Sequence, residues 1–88
     1  MSGKIYSVPP TESPRILEPA DTLDVKAGRV RALTIENLGN SEGHYKLTVG
    51  SDTIDDTIEE GGVDRIDVEF NKAKLINKGP TRLRTSWD

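Results

Sequence analysis

The stretch Asp56-Thr57-Ile58-Glu59-Glu60-Gly61-Gly62-Val63-Asp64-Arg65-Ile66-Asp67-Val68-Glu69-Phe70 decides the fold class. Ile66, Val68 and Phe70 alternate with Asp67 and Glu69, the period-two pattern of a strand with one face buried. Glu59-Glu60-Gly61-Gly62 reads as a turn, because glycine reaches the positive φ that a tight reversal requires. Upstream of it, Ile58 closes a second apolar run that begins at Ile54. Strand, turn, strand is the result. For residues 53–60 a short helix capped by Ser51 ranks second, since threonine and aspartate are poor in a helix interior.

The same scheme repeats outward in both directions. Leu23 and Val25 alternate with Thr22 and Asp24. Leu33 and Ile35 mark a strand over 30–37, with a slip near Val30-Arg31-Ala32 that predicts a bulge. Tyr45, Leu47 and Val49 alternate with His44, Lys46 and Thr48. A short strand follows through Ala73, Leu75 and Ile76, and a last one carries Leu83, Thr85 and Trp87 on one face. Loops rich in Gly, Asn and Ser separate these runs. The chain has 88 residues, enough for one small core, and no run shows the period of an amphipathic helix. The expected fold is all-β: a compact antiparallel β-sandwich, jelly-roll or immunoglobulin-like, of seven or eight strands over 21–88.

Residues 1–20 hold Pro9, Pro10, Pro14 and Pro19, four of the five prolines. Proline fixes φ and removes a donor, so an extended proline-rich N-terminal arm is expected here. Ile5, Tyr6, Val8, Ile16 and Leu17 are its apolar anchors and the candidate partner-binding residues. Trp87 is a second candidate, either a core plug or an interface contact, because tryptophan is favoured at interface centres.

Two internal echoes appear. A shift of about 33 places sets Val25 over Ile58, Gly28 over Gly61 and Leu33 over Ile66. Separately, Ile35-Glu36-Asn37-Leu38-Gly39 resembles Leu75-Ile76-Asn77-Lys78-Gly79. Two similar β units in one small chain point to the facing sheets of a sandwich.

Composition narrows the chemistry. Cysteine is absent, so disulfides and thiolate metal sites are excluded, and His44 is the single histidine. Asp52, Asp55, Asp56, Glu59 and Glu60 lack the ligand spacing of a calcium loop and read as a solvated acidic face. Lys72, Lys74, Lys78, Arg82 and Arg84 make the C-terminal third basic, but the net charge is −3, which opposes non-specific nucleic-acid binding. The two charged regions instead complement each other between strands, or between copies in a ring. No apolar run reaches the roughly 20 residues of a membrane span. No catalytic, cofactor or metal residues are expected, and no enzyme activity.

Val25-Lys26-Ala27-Gly28, Leu33-Thr34-Ile35-Glu36-Asn37-Leu38-Gly39, Ile58-Glu59-Glu60-Gly61-Gly62, Ile66-Asp67-Val68-Glu69-Phe70 and Asn77-Lys78-Gly79 together resemble small β-sandwich modules. The pattern is similar to capsid decoration (cement) proteins of tailed bacteriophages and to immunoglobulin-like adhesion modules of bacterial surface proteins. An own Met1, the lack of an apolar signal core and the arm favour the phage group. That resemblance implies a homo-oligomer, often a trimer, whose partner is the major capsid protein and whose place is the virion surface. Mechanistically it implies a clamp that binds the assembled state and not the dissociated one. The alternatives are the bacterial surface module and a small phage-encoded inhibitor of a host protein.

Overall fold

The computed structural model describes residues 5–8, 14–25, 30–70 and 73–87, and the side chains of 5–6, 14–24, 32–66 and 73–87. Among the described residues nine strands run in chain order as β1 (Ile5–Val8), β2 (Arg15–Leu17), β3 (Thr22–Val25), β4 (Val30–Asn37), β5 (Gly43–Val49), β6 (Asp52–Ile58), β7 (Val63–Phe70), β8 (Ala73–Gly79) and β9 (Leu83–Trp87). They form a five-stranded sheet of order β1-β3-β8-β5-β6 and a four-stranded sheet of order β2-β9-β4-β7. The all-β sandwich expected from the alternation is therefore the architecture. Residues 53–60 are strand through Ile58, and the ladder of β4 with β7 shifts register between Val30 and Ala32, where the alternation slips. One pairing departs from the antiparallel rule: β1 lies parallel to β3.

The core forms between the sheets from Leu17, Leu23, Leu33, Ile35, Tyr45, Leu47, Ile58, Leu75, Leu83 and Trp87. Alternation puts these side chains inward and their sequence neighbours outward. Two expectations change here. Leu17 is completely buried, so residues 15–20 belong to the sandwich and not to a separate arm. Residues 5–8 likewise form a sheet strand. Residues 1–4 and 9–13, the rest of the expected arm, lie outside the described residues, as does Gly28.

The Gly61-Gly62 reversal is not a hairpin, because β6 and β7 lie in different sheets. Residues 59–62 form an arch, closed by a hydrogen bond from Gly62 N–H to Glu59 C=O (2.9 Å), with Gly61 at φ 68°. Residues 18–21 repeat this arch between β2 and β3: Asp21 N–H donates to Glu18 C=O (3.0 Å), and Ala20 sits at φ 74°. Positive φ at the third position is the type II signature, which Pro19 favours at the second.

A buried asparagine staples each arch. Asn77 Nδ2 donates to Leu17 C=O (2.9 Å) and Thr81 C=O (2.8 Å), while its Oδ1 accepts Gly79 N–H (2.8 Å). Asn37 Nδ2 donates to Ile58 C=O (3.0 Å), Glu59 C=O (3.1 Å) and Ser41 C=O (2.8 Å), and its Oδ1 accepts Gly39 N–H (2.9 Å). The main chain repeats the match: Asn77 N–H donates to Asp21 C=O, and Asn37 N–H to Gly62 C=O. The chain is thus two similar halves, β2–β5 and β6–β9, offset by about 40 residues and related by a pseudo-two-fold axis. The Asn-x-Gly echo is structural, whereas the 33-residue shift is not. Nor is each unit one sheet: each half sends two strands to each sheet, so the halves interlock.

Candidate interaction surface

Because Leu83, Thr85 and Trp87 face the core, Arg84 and Ser86 face outward from β9. The same rule turns Thr34 and Glu36 of β4 out, and Ile16 of β2. Cross-strand register then builds the row Ile16, Arg84, Glu36, Val63 across the outer face of the four-stranded sheet. Thr34, Ser86 and Arg65 form the next row. Leu38, just beyond β4, is held beside β9 by its N–H donating to Arg82 C=O (3.0 Å).

Pro14, Arg15, Ile16, Leu38 and Arg84 line an open groove of about 500 Å³ at the β2 end of this face. Ile16 is 49% exposed and Leu38 39%. Neither is needed in the core, so both are available for contact. The Arg84 side chain makes no hydrogen bond or ion pair with any described residue. Its neighbours are engaged: Arg15 lies over the Tyr6 ring at 4.7 Å, and Arg82 Nε pairs with Glu18 Oε2 at 3.8 Å. A cation with no side-chain partner among the described residues, set between two exposed aliphatic side chains, suits an apolar surface that carries a carboxylate.

The outer face of the other sheet differs. Asp55 on β6 contacts His44 Nε2 and pairs with Lys78 Nζ at 3.5 Å. The His44 hydrogen bond, with help from the Lys78 charge, holds the Asp55 carboxyl below the usual aspartate range. These exposed polar groups engage one another. In the sandwich, Tyr45 donates its hydroxyl to Asp64 Oδ2 (3.1 Å), tying β5 to β7. Burial, then the Asp64 bond and nearby negative charge, push the Tyr45 phenol above its ordinary range, so it stays a donor. Among the described residues no group of three His, Asp or Glu side chains gathers as a metal site.

The expected partner-binding residues fall in different places. Ile16 is in the groove. Ile5 is 72% exposed but sits on β1 of the other sheet, and Tyr6 packs partly against the core beneath Arg15. The Val8 side chain lies outside the described residues. Leu17 and Trp87 are buried in the core and offer little surface to a partner. Arg84, Leu38 and Val63 were not singled out as contact residues. Arg84 was available by alternation from Leu83 and Thr85, and Leu38 by its apolar character where the matching loop has Lys78.

No family model matches this chain, and no curated protein matches it. Solved structures do. The pre-peptidase C-terminal domain of a Bacillus anthracis collagenase superposes with a TM-score of 0.55 at 10% identity, covering 100% of this chain and 98% of that one. The cupin domain of Drosophila melanogaster CENP-C gives 0.51 at 13% identity over 89% of this chain, which spans 63% of that one. PliG of Aeromonas hydrophila, a periplasmic inhibitor of g-type lysozyme, gives 0.50 at 16% identity, covering 97% and 98%. The likeness is of fold alone.

Proposed function

We propose that this chain is a non-enzymatic structural protein that binds and stabilises an assembled protein shell, and that the shell is a bacteriophage capsid. The groove supports the binding half of this reading. It joins exposed Ile16 and Leu38 to Arg84, whose side chain has no partner among the described residues. The capsid half comes from the sequence resemblance: a small sandwich that acts by mass action needs only to prefer the assembled state.

The test starts from gene order. A neighbouring major capsid gene would supply the protein from which shells are assembled. Purified full-length chain is then mixed with those shells and sedimented through a gradient. Co-migration with shells, and a higher shell melting temperature, are expected. A chain that stays at the top at tens of micromolar would overturn the proposal.

A further inference from the structure

The second charged surface of the molecule is the β6 edge. Asp52, Ile54 and Asp56 alternate with Thr53, Asp55 and Thr57, so the first three project from one side of the strand. That side is the core side, as buried Ile58 shows, yet 52, 54 and 56 are all exposed. Ile54 is therefore presented between two carboxylates. Among the described residues the Asp52 side chain makes no hydrogen bond or ion pair, and the Asp56 carboxylate accepts only the N–H of Thr57 (2.8 Å). Asp55 on the opposite side is already engaged by His44 and Lys78. The exposed arch adds Glu59 and Glu60.

The groove is the converse: aliphatic, arginine, aliphatic. One molecule cannot join the two. The 18–21 arch places the β2 edge of the four-stranded sheet against β3, at one end of the sandwich. The 59–62 arch places β6 against β7, at the other. We propose that the Ile16, Leu38 and Arg84 groove receives the Asp52, Ile54 and Asp56 edge of a second copy of this chain. Copies then associate head to tail, and the rotation between them determines whether a ring closes. This rests on the groove being a binding surface, as proposed above, and gives it a second copy in place of the shell as its occupant.

The test uses the full chain in sedimentation velocity from ~10 µM to ~1 mM at low salt, the range in which weak specific association is measurable. The variants are Arg84→Glu and the pair Asp52→Lys with Asp56→Lys, all at exposed positions, with circular dichroism as the control for folding. Each alone should weaken association roughly tenfold, as several surface charge contacts reverse together. Mixed in equal amounts they should associate again, since the acidic groove of one meets the basic edge of the other. A wild-type chain that is monomeric throughout overturns the proposal, as does association that Arg84→Glu leaves unchanged or a mixture that stays dissociated. Shell sedimentation of the same variants separates the two readings. A monomer whose shell binding is lost on Arg84→Glu sinks self-association and keeps the shell. Copies that associate but never meet a shell do the reverse.

Discussion

Replacing Asn77 by aspartate changes the charge and donors of one buried group and almost none of its shape. The amide nitrogen of Asn77 serves Leu17 C=O and Thr81 C=O at 2.9 and 2.8 Å, and the side chain is fully buried. In Asn77→Asp an oxygen faces both carbonyls. Each buried acceptor left without a donor costs about 1–3 kcal/mol, so the pair costs roughly 2–6 kcal/mol at neutral pH. A domain of 88 residues has about 4–13 kcal/mol of total stability. The variant should therefore lose about half its stability or fail to fold. Burial and the facing oxygens raise the folded-state pKa of the introduced carboxyl above its unfolded value near 4. Its deficit is then greatest above the folded pKa and shrinks as pH falls through it, because the protonated acid recovers one donor. Urea titrations followed by Trp87 fluorescence at pH 7 and pH 5 measure both effects. A loss below about 1 kcal/mol at pH 7, or one that does not vary with pH, would refute the staple. Asn37→Asp should behave alike, since its amide occupies the matching position.

Three further substitutions test the fold and its surface. Ala20→Gly should raise stability by roughly 0.5–1 kcal/mol in urea, as relief of positive φ outweighs the added unfolded-state entropy; an unchanged or lower midpoint would count against strain at the 18–21 arch. Thr85→Val should stabilise by about 1 kcal/mol, because the Thr85 hydroxyl is buried without a hydrogen bond, and a destabilised protein would show that it has one. Asp55→Asn removes a carboxylate whose folded pKa is depressed, so its contribution is present above the unfolded aspartate pKa and lost as pH falls through the folded one. Wild type and Asp55→Asn should accordingly converge in urea midpoint toward acid pH; a gap that persists there contradicts the assignment.

Strands whose apolar residues alternate were legible because burial of one face imposes that period, and Leu83, Thr85 and Trp87 are an example. Even the irregularity at Val30 and Ala32 showed as a slip in the pattern. The strand character of β2 was hidden because three residues give too few alternations, and Pro14 and Pro19 flank them. What holds Leu17 inside is remote: the amide of Asn77, 60 residues away, fixes its carbonyl. Alignment at a shift of 41 would have exposed it, setting Glu18-Pro19-Ala20-Asp21 over Glu59-Glu60-Gly61-Gly62. Whether a four-residue reversal makes a hairpin or crosses between sheets depends on partners of the flanking strands, which local sequence does not encode. The groove was half legible. Ile16 stood out as apolar, but Arg84 and Leu38 join it only through the β2–β9 pairing and the bond from Leu38 to Arg82.

The pseudo-two-fold axis has a consequence for polarity. Two identical half-length chains building this sandwich as a pair would have equivalent edges, and any charge placed on one would appear on the other. Fusion into a single chain releases that constraint. The two edge strands that the axis exchanges, β2 and β6, now differ: Arg15-Ile16-Leu17 stands where the other half has Asp56-Thr57-Ile58. The added strand β1 marks one end further, lying along β3, while no described strand lies on the matching edge of β7. A molecule with a near-symmetric interior has acquired a front and a back, and a repeating one-way array requires that asymmetry of its subunit.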